Sequence, residues 1–392
     1  MKILLIAPQP FLTKRGTPLA VYQLLKAFSE LGHSVDVATF HIGEDVEIDN
    51  VRLYRTPALP FVTAVKKGAS GAKLLLDLFL FVRAASLLRH NRYDVIHGVE
   101  EGAIIGVVLG YFFRLPVVMD MDSSIPDQLC DSRSPLWSSE VIVRVASALE
   151  RWTVRRAAAV IAVCRSLSEK ARSVGSRTQV FLLEDIPNVE PFTPEMQPAL
   201  RALRESVGLG DGPVVVYTGT FEAYQGIDLL MKAAQLVLRE HPTVRFVLVG
   251  GEMGQVTQVK DETEKLGISR SVVVLGTRPM EEMPIFMAMA DVLVSPRSLG
   301  TNTPMKIYSY LDSGRPVVAT RLLTHTQVLN DDVAVLVDPV PSAMSEGIGR
   351  LLSSRELREE IGERGRNYVR TNFSFERFKE KLQAAYAVLE KK

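Results

Sequence analysis

Short runs that are apolar at nearly every position alternate with longer helical patterns along the whole chain, and the alternation begins twice. In the first half "KILLIAP" is followed by a helix from Pro18 to Leu31. Then come "SVDVATF", "VRLYRTP", an apolar helix near Leu74 to Leu88, "YDVIHGV", a helix from Gly102 and "LPVVMDMD". In the second half "PVVVYTGTF" leads into "GIDLLMKAAQLVLREH", then "VRFVLVGG", "VVVLGT", "DVLVSP", "PVVAT" and "VAVLVDP". A strand that is apolar throughout has no face for water, so it needs cover on both sides, and helices between such strands supply it in a parallel sheet. The pattern therefore predicts an α/β chain of two doubly wound domains. A length of 392 residues agrees, since single cores rarely serve more than about 100–200 residues. Residues 189–212 are rich in proline, glycine and charge, which sets the expected boundary between a first domain of 1–188 and a second of 189–372. Ligands of such sheets bind beyond the carboxyl ends of the strands, so the expected site is a cleft between the domains.

Composition narrows the partners. The net charge of +1 excludes a dedicated nucleic-acid binder, because there is no basic excess to displace counterions from phosphates. Two cysteines, Cys130 and Cys164, make neither a disulfide framework nor a thiolate metal site, and the six histidines form no ligand pair. No metal and no cofactor is expected. The start "MKILLIAPQP" reads as a strand rather than a secretion signal, so a cytoplasmic location is expected. The stretch "LLLDLFLFV", Leu74 to Val82, carries Asp77 and is far shorter than the roughly 20 residues needed to span a bilayer. Lys66, Lys67 and Lys73 precede it, and Arg83, Arg89 and Arg92 follow. One reading is a buried crossover helix with solvated ends. The other rests one face of the helix on anionic lipid, at the inner side of a membrane.

Several loops carry candidate chemistry. In "KRGTPLAVYQLL", Arg15 and Gly16 precede Thr17 as N-cap and Pro18 as first helical residue; "GTNTPMKIYSYL" repeats this with Thr303 and Pro304. Free N–H groups at such helix starts attract anions. On this reading Lys306 falls at the third helical position, where the backbone dipole disfavours a cation and a glutamate would complete a capping box. A broken local rule points to function, here a lysine aimed at a phosphate. Gly219 and Gly226 bracket a strand-to-helix loop with Thr220, Glu222 and Gln225, and Gly250 begins a second glycine turn. No G-x-G-x-x-G or G-x-x-x-x-G-K-[ST] pattern occurs. His97 ends "YDVIHGV" and Asp122 ends "VVMDMD"; both are candidates to face the cleft.

Taken in order, "KRGTP", "DVIHG", "VYTGTFEAYQGIDLL", "FVLVGG", "MEEMPIFMAMADVLVSPRS", "TPMKIYSYLDSGRPVVAT" and the tail "FSFERFKEKLQAAYAVLE" resemble family-4 glycosyltransferases of the GT-B fold. The resemblance covers nearly the whole chain. It implies transfer of a sugar from a nucleotide sugar with retention of configuration, usually without a metal, the second domain holding the donor and the first the acceptor. It also implies that the tail helix 373–392 crosses back to the first domain. It places the donor near Gly219, Thr220, Glu222, Gln225, Gly250, Thr301, Asn302, Thr303, Pro304 and Ser309. Arg15, Gly16 and Thr17 form the acceptor or phosphate loop. Three positions depart from the family pattern. Two glutamates eight apart are replaced by Thr301 and Ser309; the diphosphate-clamping arginine and lysine by Thr220 and Gln225; and a cleft histidine by Asp122. Arg297 and Lys306 are the candidates to restore the missing charge, with Asp122 and His97 orienting hydroxyls. The implied acceptor is a saccharide or a lipid-linked molecule, as in the synthesis of cell-envelope glycolipid or polysaccharide. A nucleotide-sugar epimerase of the same fold and a noncatalytic sugar-binding subunit are the alternatives.

Overall fold

In the computed structural model of the chain, residues 1–11, 16–59, 62, 70–130, 137–175 and 178–389 are described. The chain forms two units, one of residues 1–185 with 375–392 and the other of residues 186–374. The proline- and glycine-rich stretch 189–212 lies within the second unit and contains the helix Gln197–Ser206.

The first unit holds seven strands. They are β1 (Lys2–Ala7), β2 (Ser34–Thr39), β3 (Val51–Arg55), β4 (Val95–Val99), β5 (Val117–Met121), β6 (Ala159–Ala162) and β7 (Gln179–Leu182). All pair in parallel in the order β3-β2-β1-β4-β5-β6-β7. The helices are α1 (Thr17–Glu30), α2 (Gly71–His90), α3 (Gly102–Phe113), the short α4 (Ile125–Cys130) and α5 (Glu140–Arg156), before a further helix, Arg165–Val174. Every residue of β4 and β5 is buried, as apolar strands without alternation require. The strand order reverses between β1 and β4, so their carboxyl ends mark this unit's switch point.

The second unit repeats the design with β8 (Val214–Thr218), β9 (Arg245–Val249), β10 (Val272–Val274), β11 (Val292–Ser295), β12 (Val317–Thr320) and β13 (Val335–Val337). Their order is β10-β9-β8-β11-β12-β13, again parallel. The switch point lies between β8 and β11, and the two loops that leave it begin at Gly219 and Pro296.

The last helix, Phe375–Ala387, belongs to the first unit and buries Phe378, Leu382, Ala385 and Tyr386 there. Lys379 pairs with Glu30 at 2.7 Å and Lys381 with Glu184 at 2.5 Å. The Tyr386 hydroxyl reaches His97 Nδ1 at 2.8 Å. His97 is therefore not a cleft residue, contrary to the sequence expectation. The register sets it beside Leu5 of β1 and Val118 of β5, in the middle of the sheet. It is fully buried, with its Nε2 3.2 Å from Asp120 Oδ2 and Phe28 edge-on to its ring. Leaving that imidazole one partner short costs about 1–3 kcal/mol. Tyr386→Phe should accordingly lower the melting temperature of the first unit's unfolding transition, read by calorimetry; an unchanged transition would show that the tail helix is held by its apolar contacts alone.

Candidate functional site

At the second switch point the chain turns sharply after β8. Gly219 adopts φ 138° and Gly250, after β9, φ 123°. The two turns interlock so closely that a Cβ on Gly250 would stand 1.9 Å from the Gly219 carbonyl oxygen. No other residue fits there. Gly219 donates its N–H to the Val249 carbonyl, and the Tyr217 hydroxyl donates to the Thr220 carbonyl at 2.7 Å. The loop is thus fixed from both sides before Gly226, at φ 71°, admits the helix Ile227–Glu240.

Lys306 is directed at this turn. Its Nζ lies 3.9 Å from the Tyr217 ring centroid and 3.4 Å from Gln225 Oε1. A side chain on Gly219 would collide with it, the added Cβ standing 2.7 Å from Nζ. Burial, and then the neighbouring Arg297 charge, push its pKa well below the usual lysine value. Arg297 follows β11. Its guanidinium lies over Tyr224 at 5.0 Å, and its Nη1 donates to the Asn302 carbonyl at 2.7 Å and the Thr324 hydroxyl at 2.9 Å. Its Nε is buried without a hydrogen-bond partner, as is the Thr303 hydroxyl. Burial lowers the Arg297 pKa too. Among the described residues, neither cation has a carboxylate partner within 4 Å. Two neighbouring, half-buried cationic side chains without a carboxylate partner have the electrostatics that favour an anion.

The Lys306 geometry corrects the sequence reading. The helix is Lys306–Asp312, capped by Met305, and no side chain caps it. A tight turn precedes it, with Ile307 N–H donating to the Pro304 carbonyl and Tyr308 N–H to that of Met305. Thr303 and Pro304 therefore stand before the helix, and Lys306 is its first residue. The parallel expectation for Thr17 is corrected likewise: Gly16, at φ 53°, is the cap, and Thr17 is the first residue of α1. Arg15 lies outside the described residues.

The remaining candidates separate. Thr220, Gln225, Gly250 and Asn302 support the turn or the cations as described, and Glu222 accepts from Gln255 Nε2 at 3.4 Å. Thr301 is exposed, and its carbonyl accepts from Gln327 Nε2 at 2.6 Å. Ser309 is not available to a donor. It is buried, its hydroxyl donates to Asn188 Oδ1 at 2.8 Å and accepts from the Asn188 N–H at 3.1 Å. A cavity of about 310 Å³ is lined by Ser309 together with Phe192, Asp312, Arg366 and Arg370. These arginines already bond Asp312 and its neighbour's carbonyl, and neither Lys306 nor Arg297 lines that cavity. Sequence reasoning missed the supports of Arg297. Thr320 donates to the Arg297 carbonyl at 2.6 Å, and His325, neutral with its pKa pushed down to about 4 by burial, sits 2.8 Å from the Ser295 hydroxyl. Nothing in "THTQ" announces this.

In the first unit, Glu100, Asp122 and Asp185 gather with Asp120 near the carboxyl ends of β4 and β5. Glu100 takes a strained φ of 49°. It accepts hydrogen bonds from the Ser123 hydroxyl and from Gln128 Nε2. Burial first, and carboxylate neighbours second, raise Glu100 and Asp185 to about 7 and Asp122 well above the usual range. Among the described residues no group of three His, Cys, Asp or Glu is placed to hold a metal ion.

The sequence matches two families, "Glycosyl transferase 4-like domain" over residues 15–184 and "Glycosyl transferases group 1" over residues 201–368. The chain belongs to the family-4 glycosyltransferases. It is 23% identical over 373 residues to a sulfoquinovosyl transferase of Arabidopsis thaliana, covering 93% of this chain and 69% of that one. Sucrose-phosphate synthase from Thermosynechococcus elongatus superposes with a TM-score of 0.79 at 21% identity, covering 100% and 99% of the two chains. The Anabaena protein HepE, solved with UDP-glucose, gives 0.70 at 19% identity over 99% of each. The fold of this glycosyltransferase is thus the two-domain GT-B arrangement expected from its sequence.

The carboxyl cluster makes a pH dependence. In the folded chain Glu100 keeps its proton up to about pH 7, whereas an unfolded glutamate loses it near 4.3. The folded state then binds more protons than the unfolded state, and this contribution to stability falls as pH rises between those values. Glu100→Gln, which fixes the neutral form, should raise the melting temperature at pH 8, with the difference vanishing toward pH 5. An equal shift at both would dissociate the cluster from the titration.

Proposed function

We propose that this enzyme moves a sugar from a nucleoside-diphosphate sugar to an acceptor hydroxyl with retention of configuration, and that no divalent metal takes part. The observation that carries the reading is the pair Lys306 and Arg297, unpartnered by carboxylates and set against the Gly219 turn. In the reaction the bond from the anomeric carbon to the diphosphate oxygen breaks, a bond to the acceptor oxygen forms, and the acceptor hydroxyl gives up its proton. Negative charge grows on the departing diphosphate, and fixed cations in a desolvated site stabilise it more than water does. They supply the charge that a divalent ion supplies elsewhere.

The departures from the family pattern fit this reading. Where the family's clamp lysine is replaced by Gln225, the ammonium of Lys306 arrives at that same side chain from a different element. The charge has moved along the sequence while staying beside the turn. The complexes of HepE with UDP and UDP-glucose support a nucleotide-sugar donor and make UDP sugars the first to test.

For the acceptor, we infer that the carboxyls of Asp122 and Glu100, whose pKa values burial raises, recognise hydroxyls in the first unit. A lipid-linked acceptor of cell-envelope glycolipid or polysaccharide synthesis would bring the enzyme to the inner face of a membrane. No helix of the described residues is long and apolar enough to cross one. Of the segment from Lys66 to Arg92, residues 66–69 lie outside the described part.

Lys306→Met keeps the length of the side chain and removes its charge. It should leave the melting temperature equal or higher while cutting turnover at least about a hundredfold, the loss for a group worth roughly 2.7 kcal/mol in the transition state. The measurement is release of nucleoside diphosphate with EDTA present throughout. Turnover within a few-fold of the parent would remove Lys306 from the mechanism, a requirement for magnesium or manganese would remove the metal-free reading, and an isomerised sugar nucleotide without acceptor would indicate an epimerase.

A further inference from the structure

The first unit carries an apolar surface that its own fold does not use. Helix α2 buries Leu76, Leu80, Ala84 and Leu87 toward the sheet, as a crossover helix must. Its opposite side leaves Leu74, Leu78 and Val82 exposed, spaced four apart and so aligned on one stripe. Helix α3 packs next to α2 and leaves Tyr111 and Phe112 exposed at its end, at 75% and 72%. Helix α5 also packs against α3. It leaves a second stripe exposed, Val141, Val145, Leu149 and Trp152. Of the large apolar side chains exposed among the described residues, ten lie on these three adjacent helices and four on all the rest. Single exposed leucines are ordinary; a face shared by three neighbouring helices is not.

The charges beside this face are mostly basic. Helix α5 carries Arg144, Arg151, Arg155 and Arg156 against Glu140 and the buried Glu150. Arg83 and Arg89 lie on α2, and Arg114 caps α3. The chain as a whole is at +1, so this basic surplus belongs to the face and is offset elsewhere. Apolar stripes bordered by arginine match the boundary between headgroups and acyl chains of an anionic bilayer, where apolar side chains enter and guanidinium groups meet phosphate.

We infer that the outer face of α2, α3 and α5 docks the enzyme on an anionic membrane surface. The inference deepens the lipid-linked acceptor reading and rests on it for its biological sense, but its physical test is independent. Sequence reading pointed only to α2 and its flanks; α3 and α5 supply most of the face.

The experiment floats the full chain with phosphatidylglycerol vesicles and with phosphatidylcholine vesicles. In parallel, the UDP-induced rise in melting temperature is measured without lipid. The parent should float with the anionic vesicles, more weakly in high salt. Leu78→Glu and Val145→Glu should each lower the bound fraction at least about tenfold, since a carboxylate cannot enter the acyl boundary cheaply. Both variants should keep the UDP response, because their side chains are exposed and remote from the nucleotide turn in sequence and unit. Flotation equal to the parent in both variants would overturn the inference, as would a parent that ignores anionic vesicles. A parent that sediments as a dimer, and becomes a monomer on Val145→Glu, would assign the face to a second copy instead. Loss of the UDP response in the parent would count against the glycosyltransfer reading and leave the lipid result standing.

Discussion

A half-buried lysine and arginine placed near one another, with no carboxylate partner among the described residues, are the constraint on which the functional account depends. Burial lowers the pKa of both, and the Arg297 charge lowers that of Lys306 further. Such a pair costs stability in the free protein, and the surrounding structure is arranged to hold it. Tyr217 and Tyr224 present ring faces to the two cations, the Asn302 carbonyl and Thr324 anchor the guanidinium, and Thr320 fixes the backbone of Arg297. In the proposed reaction a diphosphate bound there would remove the cost by supplying the missing charge. The same interaction strengthens as the leaving group separates, which is the condition for a contact to raise turnover rather than only affinity.

The fold was legible because its signal is redundant. Thirteen strands among the described residues, most of them predominantly apolar and separated by helices, admit little other than two parallel sheets. The site was legible in part, and the reason is geometric. Lys306 stood out because a cation near a helix start contradicts the dipole, and the structure does bring it to the Gly219 turn. Its exact place in the helix was misread, since Thr303 and Pro304 have the composition of a cap without its hydrogen bond. His97 misled because a strand's last polar residue looks the same whether it ends at a cleft or, as here, lies beside Leu5 with its partner arriving from Tyr386, 289 positions away. Ser309 misled for the same reason, its hydroxyl being taken by Asn188. Long-range partners leave no local trace.

The first unit shows the complementary electrostatics. Where the second unit gathers cations, the first gathers carboxyls whose pKa values burial raises, Glu100 and Asp185 to about 7 and Asp122 well above the usual range, with Glu100 strained as well. Neutral carboxyl groups donate as well as accept, so they suit hydroxyl-bearing ligands better than charged ones. The proposed division between a phosphate-binding half and a hydroxyl-binding half rests on which charges each unit gathers.

The central claim is that the nucleotide's diphosphate restores the charge of Lys306, and proton linkage measures that directly. Titration calorimetry of UDP at successive pH values up to the ordinary lysine pKa, in buffers of different ionisation enthalpy, counts protons taken up on binding. The account requires net uptake by the parent, because the depressed ammonium regains its proton beside the diphosphate, and none by Lys306→Met with weakened binding. Binding by the parent without proton uptake, and with the same affinity as the variant, would contradict it.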